Sequence, residues 1–453
     1  MIRLTWATIA MCCLGALIAR GYTESPAIAG VVLSSVVAIA VISPGAALGA
    51  AILALPTAYT LYPLPVGSFS LLELAILGVV AGLALRLVIS GLSTWRTAWH
   101  AGSDEIAITL PAAAIIPAAV LAYVMLPDGA YPDVTAREIR IVLVEPLLLF
   151  GAALIVLRDR RARTWAWVCV AVIGTVIGAG ASVQVIGGFG GVESGALTRA
   201  TGIYSHPNNL ALFLERTFLI SLPMLLFRPR DSLLWLAVGA QGVGLVLTFS
   251  RGAMLAVTVG VGVALLMLGI RRWLKAAAAL AIVAGAMLFA ISRDRLLDAG
   301  GSGSESTRLA IWRSSVWMLV DHPVFGVGPD QFLYQYGRRY IEPSAWPERY
   351  SSHPHNIVLD VWLRLGAAGL GVFAALVVGV WRFARRMGER IRTDAISCGA
   401  VAALAGAAAH GLLDNGFFLP DLAAATWVAI AMLLTVEDHG TAMPLIETDP
   451  GER

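Results

Sequence analysis

The main pattern of this chain is a series of long apolar runs separated by short polar segments. Each run is about 17–25 residues long, which is the length a helix needs to cross a bilayer. About fourteen runs lie near residues 4–20, 27–43, 45–62, 70–91, 107–126, 139–157, 165–185, 208–227, 233–249, 252–270, 274–291, 355–381, 396–414 and 420–436. The sequence therefore predicts an all-α fold, a polytopic integral membrane helix bundle with about 14 transmembrane helices.

One polar interval, residues 292–354, is much longer than the others. From Ser306 to Asp321 its apolar residues recur at helical spacing, which predicts an amphipathic helix lying on the membrane. That stripe consists of Leu309, Trp312, Val316, Leu319 and Val320. Two interpretations stay open, a lid over a substrate and a helix that only packs on the bundle. An interval of this size between membrane helices offers a place for chemistry in water.

The composition agrees with a membrane protein. The chain is 58% hydrophobic and 13% charged, whereas soluble domains carry about 25% charged residues. The net charge of +3 comes from basic residues scattered in short loops, so no nucleic-acid partner is expected. The cysteines all lie inside apolar runs and form neither a disulfide framework nor a metal-binding spacing.

The basic loops predict the orientation of the chain, because such loops stay in the cytoplasm. Clusters follow the sixth, eighth, tenth and twelfth runs, near residues 158–163, 228–230, 271–275 and 382–392. Both termini are then cytoplasmic, and the loop 292–354 lies outside. We divide the chain into N-terminal membrane helices (1–190), a central region that includes this loop (191–381), and C-terminal helices with a short cytoplasmic tail (382–453).

Several arginines fall on the exoplasmic side of this topology. Arg199 precedes a helix in the segment TRATGIYSHPNN, and Arg251 lies in the tight turn TFSRGA. We interpret these two as ligands for an anion. The others, for which an ordinary loop position is the alternative, are Arg137, Arg140, Arg308 and Arg313.

Charged residues also occur inside the apolar runs, mostly near the exoplasmic end. They are Glu73, Glu145, Glu215, Arg216, Asp360, Arg364, His410 and Asp414. An unpaired charge at mid-membrane costs about 2.5–3.5 kcal/mol on insertion scales, so partners are expected. Asp360 with Arg364, and His410 with Asp414, are each four residues apart and can pair on one helix face. A polar cavity open to the exoplasm and structural pairing between helices both explain the set.

The segment Ser351–Asn356 carries two histidines around a proline, at the mouth of a predicted helix. A histidine there can act as a general base, and the free N–H groups of the helix start suit phosphate. His355 is the favoured base and His353 its competitor, with Pro354 expected to turn the two rings apart. A metal at this pair would need a third ligand, and the sequence shows no convincing one.

These motifs, in order, resemble the family of O-antigen ligases and polysaccharide polymerases. The resemblance rests on three motifs: His355-Asn356 followed at fixed spacing by Gly366 and Gly369, the segment TFSRGA, and the segment SSVWMLVDHPVFGVGP. The resemblance makes residues 191–381 an O-antigen ligase-like catalytic region. It implies a metal-independent glycosyltransferase without a cofactor, with His355 as the catalytic residue. The substrate-binding residues it implies, together with their neighbours, are Arg199, Arg251, Arg308, Asn356, His353 and His206.

The implied reaction takes a glycan from a polyprenyl pyrophosphate carrier, in bacteria undecaprenyl pyrophosphate, on the outer face of the inner membrane. The acceptor would be a hydroxyl of a glycan or of lipid A core, as in lipopolysaccharide biosynthesis, and membrane lipids surround the bundle. A polymerase that joins lipid-linked repeats is the alternative within the class. A flippase or transporter of such lipids is the alternative outside it, although the polar groups are not spread through both leaflets as a transporter would require.

Overall fold

The computed structural model describes residues 26–64, 67–90, 103–194, 197–268 and 304–436. Its thirteen main helices within these ranges are α1 Pro26–Ile42, α2 Pro44–Leu53, α3 Leu71–Ser90, α4 Ser103–Val124, α5 Pro132–Val156, α6 Arg160–Gly187, α7 Pro207–Phe227, α8 Ser232–Val246, α9 Arg251–Leu268, α10 Ser304–Asp321, α11 Ile357–Arg386, α12 Ala395–Gly411 and α13 Pro420–Leu434. The predicted runs near 4–20 and 274–291 lie outside the described residues.

Each of the other predicted runs contains a helix. Within the described ranges seven helices, α3 to α7, α9 and α11, are long and apolar enough to cross a membrane. Five apolar helices are shorter, namely α1, α2, α8, α12 and α13. The mostly helical membrane fold is therefore confirmed, while the count of fourteen spans and the exoplasmic position of loop 292–354 stay predictions.

Two short hairpins depart from the predicted all-α class. Leu61–Leu64 pairs with Gly67–Ser70, and Val192–Ser194 pairs with Leu197–Arg199, both antiparallel. The predicted run 45–62 consequently supplies only α2 and one short helical turn at Leu55–Thr57. Pro56 and Pro63 explain this ending, because proline has no N–H to continue a helix.

Ion pairs mark one end of the bundle as the basic end. Arg163 is buried and binds Asp394 at 2.6 Å, Ser397 at 2.7 Å and the carbonyl of Met432. Arg158 binds Glu105 at 3.1 Å at the same end. The segments around Arg199, Arg251 and His355 lie at the opposite ends of these antiparallel helices. The separation agrees with the orientation that the basic loops predict.

Small residues bring the central helices close together. A side chain at Gly244 of α8 would come within 2.7 Å of Gly178 in α6. A side chain at Gly260 of α9 would come within 2.7 Å of the backbone of Ala402 in α12. Without a hydrophobic driving force between helices in lipid, such close van der Waals packing is what holds them together.

The predicted amphipathic helix exists as α10, and its packed face differs from the predicted stripe. Ile311 and Met318 are buried against Phe332 and Tyr336, which belong to the following loop. Val316 and Val320 of the predicted stripe are exposed, Val320 by 71%. Leu319, which also belongs to the predicted stripe, is buried. The apolar residues therefore divide between two faces, and contact of the exposed face with the membrane stays a prediction.

Gly366 breaks α11 and receives the loop that follows α10. Its φ is +70°, and a side chain there would come within 2.3 Å of the carbonyl of Val324. The loop backbone forms hydrogen bonds directly with the helix backbone. The Val327 N–H donates to the carbonyl of Leu363 at 2.7 Å, and the Ala367 N–H donates to the carbonyl of Val324 at 2.9 Å. This contact joins the two sequence motifs and fixes the helix that follows His355.

We expect Gly366→Ala to lower the thermal stability of the protein and the yield of folded protein. A non-glycine residue in such a backbone costs about 1–3 kcal/mol, and the steric clash adds to it. Gly371→Ala is the matched control, since a side chain there meets open space. Equal melting temperatures for the two variants in detergent would contradict this account of the kink.

Candidate active site

Two histidines share one buried carboxylate. His353 Nε2 lies 3.0 Å from Asp414 Oδ1, and His355 Nδ1 lies 2.8 Å from the same oxygen. The two ring centroids are 4.4 Å apart, so the rings do not turn away from each other. The expectation that Pro354 would separate them is wrong, because the Asp414 carboxylate holds both nitrogens at one point.

Ser351 contacts the second ring nitrogen of His355. Its Oγ lies 3.2 Å from His355 Nε2 and donates to the carbonyl of His353 at 2.9 Å. A hydroxyl has one proton to donate and can also accept. While Ser351 donates to the His353 carbonyl, its oxygen can accept from a protonated Nε2, and His355 Nδ1–H still donates to Asp414.

The backbone of His355 is held in an unusual conformation. Its φ is +53°, in the left-handed region that side chains other than glycine rarely adopt. Asn356 then caps α11, accepting from the N–H groups of Val358 at 3.0 Å and Leu359 at 3.2 Å. The Asn356 amide also donates to the carbonyl of Leu412, near Asp414. The side chain of Asn356 thus ties the two halves of the site together, and its role as a substrate ligand stays a prediction.

Arg199 joins the cluster through Asn208. The Arg199 guanidinium donates to Asn208 Oδ1 at 3.1 Å and to the carbonyl of Thr248 at 2.8 Å. The Asn208 amide donates to Asp414 Oδ2 at 3.3 Å. One hydrogen-bonded chain therefore runs from the arginine to the carboxylate that orients the histidines.

His206 lies at the start of α7, next to this chain. Its Nδ1 accepts from the N–H of Asn208 at 3.1 Å, so the ring caps the helix. Desolvation and the positive charge of Arg199 lower the pKa of His206, and the negative charge of Asp414 partly opposes them. His206 is thus favoured in the neutral form, with its proton on Nε2 because Nδ1 accepts from Asn208.

Arg251 begins α9 from the turn that also holds Thr248. Phe249 in this turn has φ +49°, another strained position. Gly252 packs against the His410 ring so closely that a side chain would come within 2.3 Å of His410 Nε2. The backbone around Arg251 is therefore fixed against α12, the helix that leads to Asp414.

His410 does not pair with Asp414 through its side chain. Its Nδ1 lies 2.6 Å from Glu215 Oε2, deep inside the bundle. The predicted His410–Asp414 pair is wrong, because the chain leaves the helix at Gly411 and carries Asp414 toward His353 and His355. Glu215 also lies 3.4 Å from Arg216, which accounts for the two charges predicted inside α7.

The predicted Asp360–Arg364 pair is confirmed and belongs to a larger group. Arg364 binds Asp360 at 2.7 Å and Glu138 of α5 at 2.8 Å. The Asn415 amide donates to the other oxygen of Asp360 at 2.5 Å. In the same way Arg140 binds both Glu73 and Glu145. These carboxylates are paired inside the bundle, as the cost of unpaired intramembrane charge requires.

Arg308 is not joined to the histidines by any contact that the structure describes. It lies half-buried in α10, and within the described ranges no hydrogen bond or ion pair links it to the cluster. Arg313, on the same helix, forms a bidentate salt bridge with Glu342 at 2.7 and 2.8 Å. That pair fixes α10 to its own loop and gives Arg313 a structural role.

Asp414 remains ionised at neutral pH. Its burial favours the neutral acid, but hydrogen bonds from His353 and His355 and their positive charge outweigh burial and hold the pKa well below its usual range. A permanent negative charge beside two imidazoles fixes their N–H groups and stabilises a proton gained by either ring.

The same three residues have the composition of a metal site. The possible donor atoms of His353, His355 and Asp414 all lie within 4.8 Å of one another. Two histidines with one carboxylate are a common donor set for zinc and for non-haem iron. The expectation of no third carboxylate is therefore wrong, since Asp414 provides one from a distant part of the chain.

The sequence interpretation did not place Ser351, Asn208 or Asp414 in the site. A usable signal was present, because Ser-His-Pro occurs twice, at Ser205–Pro207 and at Ser352–Pro354, each time before a helix. Proline is favoured at a helix start, and the residues just after each motif meet at Asp414.

Residues 234–374 match the family model described as O-antigen ligase. No curated protein matches this chain. The matched segment contains Arg251, Arg308, His353, His355 and Asn356, and it supports a membrane glycan transferase of the ligase or polymerase type. The resemblance to the O-antigen ligase family that the motifs carry is therefore confirmed over residues 234–374.

Proposed function

We propose that this protein transfers a glycan from a polyprenyl pyrophosphate carrier to an acceptor hydroxyl, at the outer face of the bacterial inner membrane. One observation supports this most strongly. His355 is oriented by a buried carboxylate that also connects through Asn208 to Arg199. A base and a cationic group are thus held at one end of a membrane bundle, and direct glycan transfer from a pyrophosphate to a hydroxyl uses both.

In the proposed reaction His355 takes the proton of the acceptor hydroxyl on Nε2. The acceptor oxygen forms the new bond to the anomeric carbon, and the bond from that carbon to the pyrophosphate breaks. The electron pair of the broken bond leaves with the pyrophosphate. Asp414 keeps Nδ1–H in place and stabilises the imidazolium that forms, and general-base help of this kind contributes about 10²–10⁴-fold.

Arginines would bind the leaving group. Arg199 and Arg251 both belong to segments that meet at Thr248, since Arg199 bonds to its carbonyl and Arg251 follows three residues later. Hydrogen bonds from charged donors contribute about 1.5–3 kcal/mol each. Arg308 lies on α10, apart from this pair in the chain, and we assign it to a lid that would cover the donor.

The decisive experiment is transfer of a labelled glycan from its polyprenyl pyrophosphate in reconstituted vesicles. Lipid A core and a second lipid-linked repeat are offered as separate acceptors, which distinguishes ligase from polymerase. We expect transfer to one of them. Movement of the intact donor across the bilayer with no new glycosidic bond would instead establish a lipid-linked glycan transporter.

We expect Arg251→Ala to reduce turnover by about 10²–10³-fold, the usual loss when one donor to a developing anion is removed. Arg251→Lys should recover little, because a lysine lacks the planar fork that matches phosphate oxygens. Arg339→Ala, an exposed arginine of the loop, is the matched control and should retain activity. Normal transfer by Arg251→Ala in the vesicle assay would remove Arg251 from the mechanism.

We expect chelation to leave activity unchanged. Asp414 Oδ1 already accepts from both imidazoles, and arginines supply the positive charge that a metal would otherwise provide. The measurement is initial rate before and after dialysis against EDTA. A loss that Zn²⁺ restores would show instead that His353, His355 and Asp414 hold a metal, and metal independence would be wrong.

A further inference from the structure

A cavity of about 240 Å³ lies on the His353 side of the histidine pair. We call it the Asp330 cavity. Its lining residues include His353 and Ser352, together with the aromatic residues Tyr59 and Phe418. Its charged residues are Arg137, Glu138, Asp330, Asp360 and Arg364. His355, Arg199 and Arg251 are not among its lining residues, so the cavity is separate from the cationic side of the site.

Three of these charged residues, Arg364, Asp360 and Glu138, are already paired with one another. Arg364 binds Asp360 at 2.7 Å and Glu138 at 2.8 Å, and its guanidinium lies 4.8 Å from the centre of the Phe418 ring. Asn415 occupies the remaining oxygen of Asp360. Because these groups satisfy one another, they shape the cavity and leave little capacity for a ligand.

Asp330 and Arg137 are not paired in this way. Both line the cavity, and neither makes a hydrogen bond or ion pair with another described residue. Asp330 also has φ +55°. Such a backbone costs about 1–3 kcal/mol and persists only where the surroundings impose it, most often at functional sites.

The loop is fixed on both sides of Asp330. The Thr135 hydroxyl donates to the carbonyl of Pro329 at 2.9 Å, and the Gln331 amide donates to Thr135 at 2.9 Å and to Tyr131 at 3.0 Å. Gln331 is fully buried. These contacts clamp the loop onto the start of α5, two residues before Arg137, and hold the Asp330 carboxylate in the cavity despite the strained backbone.

The chemistry of the cavity fits a sugar. A carboxylate accepts from two hydroxyls, a guanidinium donates to ring and hydroxyl oxygens, and the aromatic residues cover apolar C–H groups. Three carboxyls against two guanidiniums make the cavity unsuited to a pyrophosphate. Its volume is below the range of about 300–1,000 Å³ of sites for drug-sized ligands, so it fits a single sugar ring.

We propose that the Asp330 cavity binds the acceptor sugar, with Asp330 accepting from its hydroxyls and Arg137 donating to its oxygens. This inference rests on the proposed transfer reaction. His353, which lines the cavity, then places the acceptor hydroxyl beside the histidine pair, whose ring centroids are 4.4 Å apart. The donor pyrophosphate approaches from the side of Arg199 and Arg251.

The first test is Asp330→Asn, measured in the vesicle assay with each substrate varied in turn. Asparagine tolerates a left-handed backbone, so the variant changes the charge and the hydrogen bonding without straining the loop. We expect the acceptor KM to rise about 10- to 100-fold, as for loss of a hydrogen bond to a charged group, and the donor KM to stay unchanged. Arg137→Gln should shift the same parameter.

Asp133→Asn is the matched control, because Asp133 is exposed on the same helix start as Arg137 and does not line the cavity. It should leave both KM values unchanged. A rise in donor KM alone for Asp330→Asn would assign the cavity to the donor. Unchanged KM values for both substrates would overturn the assignment of the cavity to the acceptor.

A second measurement does not depend on transfer. Methyl pyranosides of glucose, galactose, mannose, rhamnose and N-acetylglucosamine are tested for binding by saturation-transfer NMR with the full chain in detergent. We expect at least one to bind wild type and to lose its signal in Asp330→Asn. That result without transfer activity would keep the cavity and reject the proposed reaction, whereas transfer with neither a KM shift nor glycoside binding would reject the cavity.

Discussion

His355→Gln should lower turnover by about two to four orders of magnitude, with little loss of donor binding. Glutamine keeps a polar side chain of similar reach but cannot take a proton. In the structure His355 is positioned for this step, with Nδ1 held by Asp414 at 2.8 Å and Nε2 facing Ser351 at 3.2 Å. The measurements are single-turnover transfer in vesicles and, in parallel, binding of the labelled donor.

His353→Gln is the matched control for that variant. His353 shares Asp414 and, unlike His355, also lines the Asp330 cavity. We expect it to raise the acceptor KM and to lower turnover less than His355→Gln does. The reverse order of effects would make His353 the base, and loss of donor binding in His355→Gln would make His355 a pyrophosphate ligand.

Asp414→Asn should reduce turnover by a comparable amount. In a Ser-His-Asp triad, the same change costs about 10⁴-fold because the imidazole takes the wrong tautomer. Here an asparagine cannot satisfy its neighbours in either orientation. If its oxygen faces the imidazoles, its NH₂ group meets the donating amide of Asn208, and the reverse orientation places NH₂ against both imidazole nitrogens.

A structural effect of Asp414→Asn must be separated from this catalytic one. Asp421→Asn is the control, because Asp421 is equally buried and accepts from the hydroxyls of Tyr59 at 2.8 Å and Tyr204 at 2.9 Å. Both variants should lower protein yield, but only Asp414→Asn should lower turnover per folded molecule. Equal turnover in the two folded variants would mean that Asp414 only supports the fold.

Hydropathy alone located the helices, and the error at their ends is small for most. The runs near 70–91 and 208–227 became α3 and α7 almost without change. The failures are local. The run 45–62 ends early at its prolines, and α10 packs with a face that the apolar spacing did not identify, because small residues (Ala310, Ser314 and Ser315) are buried there beside Ile311 and Met318.

Pairing rules based on spacing gave mixed results for a clear reason. Asp360 and Arg364 pair because both lie on a continuous turn of α11. His410 and Asp414 have the same spacing, yet the helix ends between them and each finds a distant partner, Glu215 and the histidine pair. Spacing predicts which side chains can meet on one helix, and it carries no information on which neighbouring helix offers a better partner.

The sequence by itself determined the membrane bundle, the basic end, and the histidine, asparagine and glycine motif that carries the family resemblance. It could do so because the bilayer demands apolar helices of fixed length, and because a helix start is encoded within a few residues. Only the tertiary structure decided that His353 and His355 share Asp414, that Asn208 links this carboxylate to Arg199, and that Asp330 faces a cavity beside them. These contacts join residues far apart in the chain, and they are selected by the packing of α5, α7, α11 and the segment after α12, which no local pattern specifies.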